Sequence, residues 1–388
     1  MLKAASLEVS AFGRPVGTLA LAGNVAAFAY DDEWLAHGFS ISPLSLPLER
    51  RVFVPPFRPF DGLYGIFADS LPDGWGRLLL DRLLARNGMD PATLSPLDRL
   101  AFVGSGGMGA LEYQPSFEPG TEASSELADF DYMARECRRI FGNESSDDLD
   151  RLYRLGGSSG GARPKALVDI DGEAWIVKFH TTHEGPKVGL MEYAYALCAR
   201  ACGINVPEVR LLPSKECAGF FAIRRFDRTT ADGRGAVAAD VGDASASAGR
   251  LHMASAAALL ETSHRMPSLD YQHLFQLTRL LSNDHAQLLE LYRRMCFNVF
   301  SHNRDDHAKN FSFLCNSDGK WILSPAYDLT YSSSLGGEHA TTVAGNGADP
   351  SLKDLLRVAS AADLDARWAR EEALRIQEAT NDQLAEWL

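Results

Sequence analysis

The order of the predicted elements constrains the fold of this chain more than any other feature of its sequence. Before residue 228 short strands prevail, because apolar residues come in short runs that Gly, Pro and Asp interrupt. After residue 251 the apolar residues recur at helical spacing. This order predicts an α+β fold of two lobes, a mixed β-rich N-terminal lobe and a mainly helical C-terminal lobe. The predicted strands cover residues 16–21, 25–30, 51–54, 166–170, 174–179, 209–212 and 220–223, and the predicted helices cover 77–86, 188–202, 253–261, 271–281, 285–300 and 364–388.

Two polar stretches divide the sequence into three units. Residues 114–126 are rich in Pro, Ser and Glu, as expected of an exposed linker, and residues 229–250 are rich in Gly, Ala, Ser and Asp, as expected of a loop. We therefore predict an N-terminal β-rich module at 1–115, the remainder of the N-terminal lobe at 129–228, and the helical C-terminal lobe at 251–388.

The charge of the chain argues against direct binding of DNA or RNA as its main activity. The 388 residues include 38 Lys and Arg against 51 Asp and Glu, which gives a formal net charge of −13. Phosphate-driven binding to nucleic acids requires clustered Lys and Arg. No weakly polar run reaches the ~18 to 20 residues that a membrane-spanning helix needs. Because the six cysteines show no CxxC spacing, we expect reduced thiols in a cytoplasmic protein.

The segment Ser301–Asn310 carries the sharpest chemical pattern. Asn310 stands five positions after the Arg304-Asp305 pair, which is the spacing of the catalytic loop of protein kinases. In that loop the Asp accepts the proton of the attacking hydroxyl and the Asn holds Mg²⁺. Asp328 follows a predicted strand 18 residues later and would be the second magnesium ligand. The spacing therefore indicates phosphoryl transfer.

A lysine and a glycine-rich segment are candidates for binding a nucleotide. Lys178 lies in an otherwise apolar strand, like the lysine that reaches the nucleotide phosphates in kinases. Glu192, on the helix that follows, is its candidate ion-pair partner. The segment Leu155–Lys165 contains four glycines, whose backbone N–H groups can approach phosphates without a Cβ clash, and Lys165 adds a charge. No Ser or Thr follows Lys165, so the segment is not a P-loop.

A second glycine pattern resembles a dinucleotide fingerprint but lacks its context. Gly104–Gly109 satisfies G-x-G-x-x-G. Such a fingerprint also needs a helix that begins at the last glycine. Here the following run, Ala110–Pro115, is short and ends in proline, so we predict no dinucleotide site.

Several segments together resemble the HipA family, the kinase toxins of bacterial type II toxin-antitoxin systems. The resemblance runs over nearly the whole chain. It implies a fold related to the phosphatidylinositol kinases and a serine/threonine protein kinase that uses ATP and Mg²⁺. The segments are Gly161-Ala162-Arg163-Pro164-Lys165, Arg225-Phe226-Asp227-Arg228, the run from Asn303 to Phe311, Tyr327-Asp328-Leu329 and, for the family's N-terminal module, residues 67–76 and 108–113.

The resemblance also implies a role for each residue of the site. Asp305 would be the catalytic residue, Asn310 and Asp328 the magnesium ligands, and Lys178 the group that holds the α- and β-phosphates. Family members autophosphorylate a serine of the glycine loop, which aligns with Ser158 and has Ser159 as its near alternative. The remaining contacts to the nucleotide would come from the loop of Gly160, Gly161, Ala162, Arg163, Pro164 and Lys165, from Arg224, Arg225 and Phe226 against the adenine, and from His307 and Lys309 near the phosphates.

The resemblance implies two kinds of protein partner. The known targets of the family are aminoacyl-tRNA synthetases, chiefly the glutamyl enzyme. Its usual partner is a small HipB-type helix-turn-helix antitoxin that binds operator DNA, so any contact with DNA would be indirect. Two other functions stay open: a kinase of the same fold that phosphorylates a small-molecule alcohol, and a non-catalytic nucleotide-binding co-repressor that docks on an antitoxin. An acidic exterior would suit a basic partner.

Overall fold

The structure is a computed structural model that describes residues 3–117, 129–157, 160–181, 183–229, 249–334 and 336–388. Most of the predicted linker 114–126 and of the predicted loop 229–250 lies outside the described residues. Both predicted autophosphorylation sites, Ser158 and Ser159, also lie outside them.

Two antiparallel sheets lie within the first 228 residues. The first contains β1 (Ser6–Ala11), β2 (Arg14–Ala22), β3 (Val25–Tyr30), β4 (Val52–Phe53) and β5 (Glu112–Gln114) in the order β4-β3-β2-β1-β5. The second contains β6 (Lys165–Ile170), β7 (Glu173–Lys178), β8 (Val209–Leu212) and β9 (Phe220–Arg224) in the order β6-β7-β9-β8. Asp171 and Gly172 both have positive φ, as expected of an Asp-Gly turn that joins two paired strands.

Shorter strands accompany the C-terminal helices. A three-stranded sheet has the order β10-β12-β13, and β11 pairs with β14 in parallel. The strands are β10 (His252–Ser255), β11 (Leu269–Asp270), β12 (Ser312–Cys315), β13 (Trp321–Leu323) and β14 (Thr341–Thr342).

The helices lengthen toward the C-terminal half, as the apolar spacing predicts. Asp270, Asp284 and Asp365 each precede a C-terminal helix, and their side chains accept hydrogen bonds from its first turn. Ser351 precedes another, and its hydroxyl donates to Asp354 in the first turn. The helices are α1 (Asp32–His37), α2 (Gly65–Ala68), α3 (Gly74–Arg86), α4 (Pro96–Val103), α5 (Phe130–Phe141), α6 (Leu149–Gly156), α7 (Val188–Ala201), α8 (Ala256–Leu259), α9 (Tyr271–Ser282), α10 (His285–Phe300), α11 (Leu352–Ala361) and α12 (Ala366–Gln383).

One helix prediction is wrong. Residues 253–261 were expected to be helical, but Met253–Ser255 belong to β10 and only Ala256–Leu259 are helical. The run is short and apolar, and such a run fits a buried strand and a buried helix equally well. A distant partner decides the conformation, because β10 pairs with β12 in the register Ala254 to Phe313.

Two apolar cores hold the elements together. The larger core joins the first sheet to the C-terminal helices, with members as far apart in the chain as Leu7 and Leu384. The second core packs α3 against the second sheet, with Trp75 and Leu79 beside Trp175. Helix α3 therefore lies on the second sheet although it precedes residue 115. The predicted division into three units stays a prediction.

The helices and the cysteines bear on whether the chain could span a membrane or form disulfides. In the described part of the chain no helix is both long enough and apolar enough to cross a membrane. All six cysteines are described, and none of them forms a disulfide.

Asp227 binds the backbone of Gly109, the last residue of the Gly104–Gly109 pattern, and its loss should destabilise the fold. Its fully buried carboxylate accepts hydrogen bonds from Arg225 (2.8 and 2.9 Å), Arg228 (2.6 Å) and the backbone N–H of Gly109 (2.8 Å). We expect Asp227→Ala to lower the free energy of unfolding by about 3 to 5 kcal/mol, because two cations are left without their buried partner. Denaturant titration would measure the loss.

The control for this prediction is Asp150→Ala, which removes a half-exposed ion pair with Arg86 and should cost less than about 1 kcal/mol. A loss of that small size at Asp227 would contradict the prediction. Burial favours the neutral acid, but Arg225 and Arg228 hold the pKa of Asp227 well below its ordinary 3.8. The stability that Asp227 contributes is therefore complete above that pH and declines as the pH falls below it.

Candidate active site

The predicted catalytic loop follows α10 and presents Asp305 to solvent. The Asp305 side chain is 63% exposed. The Asn310 side-chain amide donates a 2.7 Å hydrogen bond to the backbone carbonyl of Asp305, which fixes the distance between the two residues. Desolvation, with the charges of Asp328 and Asp306, raises the pKa of Asp305 above its ordinary value, and His307 opposes this effect. A raised pKa suits a carboxylate that accepts a proton during a reaction.

The neighbouring Asp306 anchors this loop in the protein. Its buried carboxylate accepts hydrogen bonds from the Tyr271 hydroxyl (2.9 Å), His339 Nδ1 (3.0 Å) and the Thr341 backbone N–H (3.1 Å). The loop is thus held from its buried side while Asp305 faces outward. Our sequence reasoning did not single out Asp306, and the Asp-Asp doublet was the only available signal.

Four charged side chains, Lys178, Glu192, Arg163 and Glu184, form a row of ion pairs behind the site. Lys178 Nζ lies 2.8 Å from Glu192 Oε1, so the predicted ion pair is present in the structure. Arg163 lies 3.0 Å from the other oxygen of Glu192 and 2.5 Å from Glu184. Glu192 therefore holds both the strand lysine and the glycine loop. Its side chain is only 3% exposed, and the two cations compensate its charge.

Asp328 lies at the Lys178 end of this row of ion pairs. Its carboxylate contacts Lys178 Nζ and is 41% exposed. Burial favours the neutral acid, but Lys178 and then Lys165 hold the pKa of Asp328 well below its usual range. The backbone of Asp328 is left-handed, with φ +56°, a conformation that Asp adopts more readily than most residues. The carboxylate is thus ionised and held beside the site.

The donor set fits Mg²⁺ only in part. Asp328 offers carboxylate oxygens, and Asn310 offers Oδ1 because its amide nitrogen is bonded to Asp305. Magnesium prefers such hard oxygen ligands and commonly completes its shell with phosphates and water. Among the described residues, no group of three or more His, Cys, Asp or Glu could hold a metal. The two residues would therefore hold Mg²⁺ together with a bound nucleotide.

The described part of the glycine loop, Gly160–Lys165, lies over the same region. Lys165 Nζ donates to the Gly160 carbonyl (2.5 Å), and the Pro164 carbonyl accepts from Phe179 N–H (2.8 Å). The Gly161 N–H donates to Asp73. Burial lowers the pKa of Lys165, and its charge neighbours include Asp328 and Lys178. The structure therefore brings Gly160, Gly161, Ala162, Arg163, Pro164 and Lys165 to the site.

The three residues predicted to face adenine are held by other parts of the protein, the two arginines in ion pairs and Phe226 in a small apolar cluster. Arg224 is paired with Glu173 (2.8 Å), and Arg225 is paired with Asp227. The Phe226 ring instead lies 5.5 Å from the ring of Tyr327, the residue before Asp328. Its apolar neighbours are Leu251, Leu314 and Ile322. The two arginines could therefore meet a nucleotide only through their backbone, and the adenine contact stays a prediction.

His307 and Lys309 are the remaining two residues that were predicted to contact the nucleotide. His307 Nε2 lies 3.9 Å from Asp305 Oδ1, and Lys309 Nζ lies 2.9 Å from Asp73 Oδ2. The ring of His264, which our sequence reasoning missed, lies 5.2 Å from that of His307. Burial, and then the charge of Lys309, lowers the pKa of His264 to about 4. The His264 ring is therefore uncharged near neutral pH.

Comparisons with protein families and curated proteins give matches along most of the chain. The HipA-like C-terminal domain matches residues 157–387, and the HipA N-terminal domain matches residues 7–114. A protein of Sinorhizobium fredii (strain NBRC 101917 / NGR234), named "Putative kinase Y4dM", is 26% identical over 346 residues. The alignment covers 85% of this chain and 78% of that protein.

A solved structure shares the fold of this chain along nearly its whole length. A chain of the Shewanella oneidensis MR-1 toxin-antitoxin complex of HipA, HipB and operator DNA superposes with a TM-score of 0.71 at 18% identity, over 98% of this chain and 90% of that chain. The Helicobacter pylori proinflammatory kinase CtkA superposes with a TM-score of only 0.36 at 13% identity, over 58% of this chain and 89% of that chain, a likeness too weak to show a shared fold. The fold predicted from the order of the elements is confirmed.

Proposed function

Because the chain belongs to the HipA family, we propose that it is an ATP- and magnesium-dependent serine/threonine protein kinase, the toxin of a toxin-antitoxin pair. One observation carries this proposal: Lys178 and Asp328 meet beside the loop of Asp305 and Asn310, and Asp328 is close enough to Asp305 for its charge to raise the pKa of Asp305. Lys178 contacts Asp328, and Asn310 is bonded to the backbone of Asp305. Residues 150 positions apart in the chain, Lys178 and Asp328, thus meet where the kinase reaction needs a cation and a metal ligand.

Each side chain has a distinct part in the proposed reaction. The acceptor hydroxyl attacks the γ-phosphorus of ATP, the bond to the ADP oxygen breaks, and the hydroxyl proton passes to Asp305. Lys178 binds the phosphates, and Glu192 keeps its ammonium group in place. Asn310 and Asp328 would hold Mg²⁺, which would neutralise phosphate charge. The exposed position of Asp305 leaves room for an acceptor side chain.

We infer the partners from the family and from charge. The Shewanella relative is described in a complex with HipB and operator DNA, which supports a HipB-type antitoxin as the partner here. An aminoacyl-tRNA synthetase, the glutamyl enzyme first, is the proposed substrate. The net charge of −13 would favour basic partner surfaces through electrostatic complementarity. Contact with DNA would then pass through the antitoxin.

Radiolabelled ATP tests the proposed activity. The purified protein would be incubated with labelled ATP and Mg²⁺, alone and with a panel of aminoacyl-tRNA synthetases. We expect label on this protein or on a synthetase, and a parallel panel of small alcohols should stay unlabelled. Label on a small alcohol alone would overturn the protein-kinase assignment. A protein that binds ATP and an antitoxin but transfers no label would instead be a co-repressor.

A further inference from the structure

A short segment at the start of α3, Asp73–Trp75, lies directly against the glycine loop. Asp73 immediately precedes the helix, which begins at Gly74. The backbone N–H of Trp75 donates a 3.1 Å hydrogen bond to the carbonyl of Gly161. The family's N-terminal module therefore contributes backbone and side-chain contacts to a loop that belongs to the predicted nucleotide site.

Asp73 connects this loop to the catalytic loop. One carboxylate oxygen accepts the N–H of Gly161, and the other lies 2.9 Å from Lys309 Nζ. The Asp73 and Lys309 side chains are about four-fifths buried, at 19% and 20% exposed. Burial favours the neutral acid, but the Lys309 charge holds the pKa of Asp73 below its ordinary value. An ionised, buried carboxylate thus bridges two loops that lie far apart in sequence.

Steric contact reinforces this bridge. Gly74 has φ +42°, and a Cβ built there would lie 2.6 Å from both Ala162 Cα and the Gly161 carbonyl oxygen. Those neighbours are backbone atoms, which cannot move aside without moving the loop. The glycine loop therefore packs directly against the backbone of the N-terminal module, and only glycine fits at position 74.

We propose that Asp73 is a positioning residue that joins the glycine loop to Lys309 and so sets the affinity of the site for ATP. The proposal rests on the proposed function, because it takes the site to be one for a nucleotide. Asp73 acts through Gly161 and Lys309 and does not itself take part in phosphate transfer. If the Asp73 carboxylate instead competed with a phosphate for the Gly161 N–H and Lys309 Nζ, its loss would tighten ATP binding.

Two variants test the proposal. Asp73→Asn keeps the size of the side chain and an oxygen that can accept the Gly161 N–H, but it turns an NH₂ group toward Lys309. Gly74→Ala leaves Asp73 in place and displaces the glycine loop by steric contact. We expect each to weaken ATP binding about tenfold, roughly the effect of losing one partly buried ionic contact. The KM for ATP should rise while kcat changes less than about threefold. Titration with ATP and Mg²⁺ and steady-state kinetics would measure both effects.

Each variant has a matched control. Asp81→Asn removes a carboxylate of the same helix that pairs with Arg99 at 3.0 Å, away from the glycine loop. Gly88→Ala introduces the same backbone strain, since Gly88 has φ +72°, but a Cβ there meets no atom within 4 Å. Both controls should bind ATP within about twofold of the wild type.

A second readout needs no nucleotide. Amide hydrogen exchange of residues 160–165 should be faster in Asp73→Asn and Gly74→Ala than in the wild type and the controls, because the loop has lost its contacts with the start of α3. Unchanged or tighter ATP binding by Asp73→Asn would overturn the proposal. If the wild type binds no ATP, the proposed function fails. The exchange rates then still decide whether Asp73 holds the loop, and unchanged exchange would refute that link.

Discussion

Replacing Asp305 by Asn should lower the rate of phosphate transfer about 10²- to 10⁴-fold, the contribution that a positioned proton acceptor makes. Asn has the shape of Asp but cannot accept the proton of the acceptor hydroxyl. ATP affinity should stay within about twofold of the wild type, because Lys178 and Asp328 are intact. Initial rates with labelled ATP and a separate binding titration would measure the two quantities.

The control for Asp305→Asn is Asp349→Asn, which removes another exposed carboxylate from the C-terminal lobe and should keep the wild-type rate. Equal rates for Asp305→Asn and the wild type would rule out Asp305 as the catalytic residue. The pH profile gives a second check. Since the pKa of Asp305 is raised, the wild-type rate should fall on the acid side at a pH above the ordinary 3.8 of Asp, and Asp305→Asn should lack that limb.

Replacing Asp328 by Ala should lower phosphate transfer about 10²- to 10³-fold, the size seen when a charged group that stabilises a transition state is lost. The variant removes a carboxylate that faces the site and is held ionised by Lys178. We also expect ATP binding to lose its dependence on Mg²⁺. ATP titrations at increasing Mg²⁺ concentration would show tightening for the wild type and a flat response for the variant.

This second prediction separates metal binding from folding. Lys178 keeps its 2.8 Å contact with Glu192 when Asp328 is lost, so the variant should unfold within a few degrees of the wild type. Lys320→Ala, a change in the same lobe outside the site, is a control for nonspecific loss. Wild-type magnesium dependence in folded Asp328→Ala would contradict the assignment of Asp328 as a metal ligand.

The parts of the site that the sequence predicts are those that depend on local spacing. Asp305 and Asn310 are five positions apart, and the geometry of one tight loop relates them. Lys178 and Glu192 lie on a strand and on the helix that follows it, so the connection limits how far apart they can be. The long helices α9 and α10 are predictable for the same reason, because their apolar spacing is internal to each helix.

The parts that were missed depend on partners far along the chain. Asp73 acquires its role from Lys309, 236 positions away, and Asp306 from Tyr271 and His339. Similarly, Met253–Ser255 become a strand because β12 offers an edge. Propensity and periodicity are local quantities, and they carry no information about which distant segment will supply a hydrogen bond or a charge.

The larger apolar core sets an order of events during synthesis. Because Leu7 and Leu384 share this core, the N-terminal sheet cannot bury its apolar face completely until the segment around Leu384 has been translated. At about 5 to 20 residues per second, that interval lasts on the order of 20 to 80 s. During this time the nascent chain exposes the surface that the C-terminal helices will cover. An activity that depends on the finished core would therefore be absent until the C-terminal helices have been translated.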